Sequence, residues 1–436
     1  MKPLASTGFA ALGAALIAIA YGIARFAFGL FVPPMRAELG LTPEVIGAVG
    51  SLAFVSFTLA SLFAPLAADR LGARNTAVLA GCLAVGGLLL ISQAQDATML
   101  GGGVFACGLC TGLMMPALSS AVQAVVTPGL QDRVNAVMNA GTSVGVALSV
   151  PAVLFLSGAW RWAYVSFAVL AGVGVLAAWL FIPSASRVRE HDPPSLLRIT
   201  GRQWASLARL CGFGFGMGMI SSCYWVFAPD LVVDLGGLAP ELTGWLWLTV
   251  GIAGLAGATA SDMAARNGAA MTQTVGWISL CASLALLAAS PSQLPTALVS
   301  ATVFGAAYMT LTGLYLVTGI RLLPHRPSVG PVLPFLSVAI GQAAGSPLAG
   351  WLIQRTGYAD AFAAVAAAGL LLALFSPLYP LRGKAEEPHP PAEATPGEAD
   401  EATDEETAAA TTDGTGEAVP DETGDPAPVQ TREVPP

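Results

Sequence analysis

Arg25 lies well inside an apolar stretch of the chain, with Tyr21 four residues before it and Phe28 three residues after it. On an α-helix this spacing places the three side chains on one face. A guanidinium offers two parallel hydrogen-bond donors, which suit a carboxylate, sulfate or phosphate group. The stripe therefore indicates an anion site. A structural bond to a carbonyl, or snorkelling toward the membrane interface, is the alternative.

Three later apolar stretches also carry aromatic or polar side chains at helical spacing. These side chains are candidates for ligand contact, although packing or lipid contact explains aromatic stripes about as well. The polar residues Asn139, Thr142 and Gln342 either support the cavity or pair helices through hydrogen bonds, and helix packing is the preferred interpretation. The candidate substrate-binding residues are Tyr21, Arg25, Phe28, Thr111, Met115, Ser221, Tyr224, Tyr308, Thr312 and Tyr315.

The composition is that of a membrane protein. Of 436 residues, 55% are hydrophobic and only 11% are charged, against about a quarter charged in soluble domains. The 27 acidic and 19 basic residues are unevenly spread, because the segment after residue 380 holds 15 and 3 of them. The remaining body is slightly basic and very apolar. It lacks the basic excess that a nucleic-acid-binding protein needs.

A helix that crosses a membrane needs about 20 apolar residues, and such stretches recur along the whole body. We expect twelve spans and no cleaved leader, since the first apolar run lacks a clear cleavage site. The predicted spans are 8–32, 46–67, 75–94, 99–126, 134–157, 162–183, 204–230, 243–264, 269–290, 295–320, 329–354 and 360–380.

Lysines and arginines predict the orientation. Fourteen of them fall on the side of the N-terminus, and only Arg36, Arg161 and Arg355 fall on the other. We therefore expect a multi-pass protein of the inner cell membrane with both termini in the cytoplasm. The Pro/Glu/Thr-rich tail cannot form a core and should be disordered and dispensable.

An internal repeat divides the body in two. Phe31-Val-Pro33 recurs 196 residues later as Phe227-Ala-Pro229, and Gly145-x-x-x-Ser149-x-Pro151 recurs at the same offset from Gly341. Other matches occur at an offset of 197, because one residue is inserted in the second half. The predicted domains are an N-terminal six-helix half (1–183), a cytoplasmic linker (184–203), a C-terminal six-helix half (204–381) and an acidic cytoplasmic tail (382–436).

Charged residues follow the second helix of each half. In the first half they form Asp69-Arg70-Leu-Gly72-Ala73-Arg74, and in the second Asp262 precedes Arg266 by four residues. A carboxylate there can pair across the halves or face a helix N-terminus, so these residues form a candidate conformational latch. The alternative is that the arginines only mark the cytoplasmic side.

With these motifs, residues 5–380 resemble the major facilitator superfamily. Asp69-Arg70-x-Gly72-x-Arg74 is similar to its loop between helices 2 and 3, and Trp160-Arg161 to its entry into helix 6. Ala24-Arg25-Phe26 with Pro33-Pro34-Met35-Arg36 is similar to the YbfB/YjiJ-type branch. The resemblance implies an all-α membrane fold of two pseudo-symmetric six-helix bundles, with helices 1, 4, 7 and 10 around a central cavity.

The expected function is secondary active transport of a small organic solute by alternating access, with an organic anion preferred because of Arg25. Proton-coupled efflux of amphipathic drugs or metabolites is the alternative, although no carboxylate lies at the middle of a predicted span. No phosphate-binding loop occurs, so ATP does not drive transport directly. We expect a monomer in the lipid bilayer, a coupling ion such as H⁺, and no cofactor, metal or catalytic residue.

Two other classes remain open at this stage. Gly141-x-Ser143-x-Gly145 spells the nucleophile motif of serine hydrolases, but it lies inside an apolar helix far from any histidine. A receptor without transport activity would need a signalling domain, which the sequence lacks. Both are remote alternatives to a transporter.

Overall fold

The computed structural model describes residues 6–184, 200–323, 330 and 332–380, and these residues form helices and turns without a strand. The predicted linker, except for its two ends, and the acidic tail lie outside the described residues. The helices are α1 (Ser6–Leu30), α2 (Val32–Leu39), α3 (Pro43–Ser92), α4 (Ala97–Val125), α5 (Pro128–Leu148), α6 (Val150–Leu156), α7 (Trp160–Phe181), α8 (Gly201–Asp234), α9 (Thr243–Gly254), α10 (Ala260–Asn267), α11 (Ala269–Ala289), α12 (Leu294–Leu322), α13 (Val332–Thr356) and α14 (Tyr358–Ala373).

Helix α1 is not a uniform α-helix. Its middle, Ala18–Phe26, is π-helical, and this segment carries both Tyr21 and Arg25. π-Helical turns are rare and often lie at functional sites, because they turn side chains away from the ordinary α-helical register. The sequence pattern does not predict this segment.

Every predicted span has a helical counterpart in the structure. Nine of the described helices are long and apolar enough to cross a membrane, or ten if the bent pair around Thr259 is one span. The fifty-residue helix α3 contains two of the predicted spans, and α14 is a shorter apolar helix. The all-helical membrane fold is thereby confirmed, while the number of twelve spans stays a prediction.

Glycines make the sharp breaks between spans. Gly72 divides α3 with φ 78° and ψ 163°, a backbone conformation that is almost restricted to glycine. Gly268, at the repeat offset of 196, has φ 85° and separates α10 from α11. Gly40 and Gly237 are a second such pair, with φ 63° and 65°, one inserted residue apart. The repeat seen in the sequence is therefore also a repeat of backbone geometry.

Helix packing repeats in the same way. A Cβ atom added to Gly22 would lie 2.5 Å from the backbone nitrogen of Val146, and one added to Gly218 would lie 2.8 Å from that of Gln342. Gly218 follows Gly22 by 196 residues, and Gln342 follows Val146 by the same offset. Such close helix contacts need small residues, as is usual within membranes.

The bundle has two ends. We call one the Arg36 end, where Arg161 of α7 bonds both Glu38 and the carbonyl of Ser92. The opposite Arg74 end is where Arg74 donates to the carbonyl of Ile182. Positive-inside counting predicts that the Arg74 end faces the cytoplasm. Large apolar side chains such as Phe155 and Trp162 are exposed on the bundle surface, as expected for contact with lipid.

The two halves, described here as residues 6–183 and 201–380, approach each other most closely toward the Arg36 end. A Cβ on Gly47 would lie 2.5 Å from the carbonyl oxygen of Ser346, whose hydroxyl donates to the Gly47 carbonyl at 2.9 Å. Gly350 lies equally close to the backbone of Pro43. Because residues 1–385 form one compact unit, the division into halves stays a prediction that rests on the repeat.

Candidate functional site

The side chain of Arg25 is buried between the two halves, with 6% of its surface exposed. Its Nη2 donates to Oε1 of Gln342 at 3.1 Å, and Nε2 of Gln342 donates to the hydroxyl of Tyr308 at 3.1 Å. The bond between Arg25 on α1 and Gln342 on α13 therefore joins the halves. Nε of Arg25 is buried without a hydrogen-bond partner.

Aromatic rings surround the guanidinium. Its Cζ atom lies 4.3 Å from the ring centre of Phe57, 4.9 Å from that of Phe54 and 5.1 Å from that of Phe26. These cation–π contacts stabilise a desolvated cation. They do not neutralise it, and none of the ion pairs among the described residues includes Arg25.

Arg25 and Phe26 stand between two cavities. The larger, on the side of the Arg74 end, comprises about 490 Å³ of space outside the protein atoms, adjoining solvent included, and the smaller about 260 Å³ on the same measure. The larger cavity is lined by Tyr21, Arg25, Phe26, Asn139, Thr142, Tyr308, Met309, Thr312, Phe335, Val338, Ala339 and Gln342. The smaller cavity is lined by Arg25, Phe26, Phe28, Gly29, Gly50, Ala53, Phe54, Trp225 and Val226. A cavity between two repeats, with one buried cation in its wall, is an arrangement suited to a small charged solute.

Known proteins match this chain along most of its length. Residues 17–376 match the family described as "Uncharacterised MFS-type transporter YbfB". The chain belongs to this family. It is therefore a membrane-embedded secondary transporter of small solutes and not an enzyme, and alternating access is the mode of action consistent with the family.

Three relatives illustrate the range of names in the wider group. The chain is 25% identical to "Transcription regulatory protein OpdE" of Pseudomonas aeruginosa, over 86% of this chain and 94% of that protein. It is 25% identical to a "Hexuronate transporter" of Bacillus subtilis, over 82% and 90%. It is 23% identical to "Purine ribonucleoside efflux pump NepI" of Shigella sonnei, over 70% and 75%.

A solved structure agrees in fold. The nucleoside transporter NupG superposes with a TM-score of 0.71 at 14% identity, over 86% of this chain and 98% of that one. At this identity the likeness concerns the fold alone.

The transporter brings together four of the residues predicted from sequence. Tyr21, Arg25, Tyr308 and Thr312 all line the larger cavity. Phe28 lines only the smaller one. Phe28 follows the π-helical segment, which ends at Phe26, and it shares the smaller cavity with Arg25.

The remaining candidates line neither cavity. Thr111 donates to the carbonyls of Ala20 and Cys107, and Ser221 donates to its own helix. Tyr224 contacts the Ser300 hydroxyl at 3.1 Å, and Tyr315 accepts a bond from Trp277 Nε1 at 2.8 Å. Met115 is half-buried against the core. In this conformation these side chains pack helices together.

Three polar residues of the cavity wall were foreseen only as the less favoured alternative. Helix packing was the preferred interpretation of Asn139, Thr142 and Gln342, yet all three line the larger cavity, and Gln342 bonds Arg25 directly. The available signal was a polar side chain in an otherwise apolar span. Their convergence on Arg25 depends on the packing of separate helices, which a local pattern does not contain.

A polar cluster closes the Arg36 end of the transporter. Nη1 of Arg36 lies 3.0 Å from the Asp230 carboxylate, 3.2 Å from that of Asp234 and 3.1 Å from the Tyr358 hydroxyl. Tyr358 also donates to Asp230. Asp230 is the one carboxylate that is buried among the described residues. Asp230 is the last residue of the predicted span 204–230, and no partner was predicted for it.

The candidate latch residues lie at the Arg74 end. Asp69, Arg70, Asp262 and Arg266 are exposed, and none of them takes part in an ion pair with a described residue. Arg74 bonds the carbonyl of Ile182 at 2.7 Å, within the N-terminal half. In this conformation none of the latch residues bonds a described residue of the other half.

Proposed function

We propose that this transporter moves a small organic anion, which binds in the larger cavity with its charged group at Arg25. The observation that carries the proposal is a buried guanidinium with a neutral hydrogen-bond partner, Gln342, and no carboxylate among the described residues paired with it. An unneutralised charge inside a membrane protein is costly and is usually functional. An anion in the cavity would supply the missing counter-charge.

The contrast with the other arginine at the boundary between the halves supports this. Arg36 has two carboxylates within 3.2 Å, so its charge is compensated by the protein. Among the described residues, the guanidinium of Arg25 contacts aromatic rings and bonds the amide of Gln342, and it also lines a cavity. The difference favours a structural function for Arg36 and a ligand-binding function for Arg25.

The proposed conformation is inward-facing. Arg36 with Asp230, and Gly47 with Ser346, hold the halves together at the Arg36 end. At the Arg74 end the latch residues make no bond to a described residue of the other half. If that end faces the cytoplasm, as the positive charges predict, the solute leaves or enters the larger cavity from the cytoplasm.

The name of the Bacillus relative concerns a sugar carboxylate, and that of the Shigella relative concerns an uncharged nucleoside exported from the cell. Arg25 favours the anionic class. Neither name establishes the direction of transport or the coupling ion of this transporter. The smaller, apolar cavity keeps efflux of amphipathic compounds as the second candidate, because its wall is mostly rings and aliphatic groups.

Thermal-shift measurements on the purified transporter test the proposal. A library of organic anions, cations and neutral compounds is screened against the parent, Arg25→Gln and Arg25→Lys. Ligands at about 100 times their Kd stabilise the folded state by about 2.7 kcal/mol, enough for a shift of a few degrees. Arg355→Gln is the matched control, because Arg355 is an exposed arginine that does not line the cavity.

We expect organic anions to raise the melting temperature of the parent and of Arg355→Gln but not of Arg25→Gln. Arg25→Lys should bind more weakly, since an ammonium group lacks the guanidinium fork. If only cationic or lipophilic compounds shift all four proteins equally, the anion proposal is wrong and efflux becomes the better interpretation.

A further inference from the structure

The side chain of Gln342 holds the position that a ligand carboxylate would need. Its Oε1 accepts from Nη2 of Arg25, and its Nε2 donates to Tyr308. A carboxamide has the shape of a carboxylate without the charge. The bond it makes to Arg25 is weaker than one from an ionised acceptor. An arriving carboxylate can therefore displace it from the guanidinium.

The surroundings of that position are aromatic. Phe57, Phe54 and Phe26 lie within 5.1 Å of the guanidinium carbon. Tyr21 and Phe57 meet edge to face at 6.2 Å, and Phe57 meets Phe335 of the other half in the same way at 5.8 Å. The larger cavity itself is lined by the rings of Tyr21, Phe26, Tyr308 and Phe335, so a ring attached to the carboxylate would enter a space with aromatic walls.

Few polar groups are left for a ligand. The hydroxyl of Thr312 already donates to the carbonyl of Tyr308, and Gln342 uses both ends of its amide. Tyr21, Asn139 and Thr142 are the polar lining side chains without a hydrogen bond to a described residue, beside the unpartnered Nε of Arg25. A ligand with many hydroxyl groups would leave most of them without partners, which is costly in a desolvated cavity.

We infer that the substrate is a monocarboxylate that carries an aromatic ring next to its carboxylate, and that Gln342 takes the place of this carboxylate in the empty transporter. The inference rests on the proposed function, because it requires an anion at Arg25. It goes further by naming the chemical class of the solute. It also assigns Gln342 as the residue that the solute displaces, which breaks a bond between the halves when the solute binds.

Binding of five probes to the full chain in nanodiscs tests the class of solute. The probes are benzoate, phenylacetate, cyclohexanecarboxylate, glucuronate and the uncharged benzamide. We expect benzoate or phenylacetate to bind best. Cyclohexanecarboxylate, which lacks the aromatic ring, should bind about threefold more weakly or worse. Glucuronate should bind at least about tenfold more weakly, because its hydroxyl groups would lose hydrogen bonds to water. Benzamide should not bind.

Two substitutions at one position test the role of Gln342. Gln342→Glu would place a permanent carboxylate on Arg25, so benzoate binding should be lost while the melting temperature of the empty protein holds or rises. Gln342→Leu removes the competing amide, so benzoate should bind more tightly than to the parent. A merely structural glutamine would weaken binding in both variants. Gln273→Glu is the matched control, because Gln273 is also buried in the C-terminal half but is bonded to no cation among the described residues.

The outcomes separate the two proposals. If cyclohexanecarboxylate or glucuronate binds as well as the aromatic acids, and Arg25→Gln abolishes that binding, the anion proposal stands and the aromatic class is wrong. If no carboxylate binds in a manner that depends on Arg25, both are wrong. If Gln342→Glu binds benzoate like the parent, Gln342 does not hold the carboxylate position.

Discussion

Arg36 and Asp230 lie 194 residues apart in sequence and 3.0 Å apart in the structure, and they join the two halves of the transporter at one end. The Asp230 side chain is nearly enclosed, with 3% of its surface exposed, whereas Arg36 keeps 25%. A second carboxylate, Asp234, is about half exposed and lies 3.2 Å from the same nitrogen. This cluster holds the Arg36 end closed in the conformation described.

Removing one partner of a buried ion pair is strongly destabilising, by about 3–5 kcal/mol, because the other charge is left unpaired. We therefore expect Arg36→Gln to open the Arg36 end. The measurement is the rate at which an impermeant maleimide labels a cysteine placed at the buried position Ser346. Labelling should rise at least about tenfold in Arg36→Gln and change little in Asp234→Asn, since the more exposed pair contributes only about 0–1 kcal/mol. Equal labelling of both variants would show that the cluster does not control closure.

Close contact of the backbones at Gly47 gives a second prediction. A methyl group there would meet the carbonyl oxygen of Ser346 at 2.5 Å and the Cα of Pro347 at 3.1 Å. We expect Gly47→Ala to disfavour the closed state by about 1–3 kcal/mol through overpacking and to slow transport in proteoliposomes. Gly86→Ala is the control, because a Cβ at Gly86 has no atom within 4 Å. A Gly47→Ala variant with parental transport would contradict the close approach.

The backbone at Gly72 gives a third prediction, which concerns stability. Its φ is 78° and its ψ 163°. Alanine in this conformation is strained by about 1–3 kcal/mol. Gly72→Ala should lower the melting temperature, while Gly129→Ala, at a helical position with open space around it, should not. Differential scanning fluorimetry on both variants decides the matter. An unchanged melting temperature for Gly72→Ala would mean that the kink is not obligatory.

The latch at the Arg74 end gives a fourth prediction. Because Asp69 has no ion-pair partner among the described residues in this conformation, Asp69→Asn should leave the melting temperature unchanged. If Asp69 pairs with a partner when the Arg74 end closes, Asp69→Asn should disfavour that closed state and slow transport. The Arg36 end would then open less often, so labelling of Ser346→Cys from that end should fall. Normal transport by Asp69→Asn would favour the simpler interpretation, in which these charges only mark the cytoplasmic side.

The sequence predicted the helices well because their signal is local. An apolar run must form a helix in lipid to satisfy its backbone groups, so the spans follow from composition alone. The repeat was visible because it is carried by glycine and proline, whose backbone preferences leave a direct trace. Gly72 and Gly268 have a positive φ at equivalent positions for that reason.

The site was predicted only in part because it is not local. Arg25 was detectable as a charge within an apolar run, but the π-helical segment around it was not, and Phe28 shares only the smaller cavity with Arg25. Gln342 and Asp230 acquire their importance from partners more than 190 residues away. No periodicity in the sequence encodes those contacts.

The equivalent contacts of Gly22 and Gly218 have a consequence for how a solute must sit. They show that the same close helix contact occurs in both halves, yet the side chains at matching positions differ: Arg25 corresponds to Ser221, and Gln342 to Val146. Similar helix contacts therefore carry unlike side chains. A molecule bound beside Arg25 meets a cation on one side and has no equivalent cation at Ser221, so it is oriented in one direction.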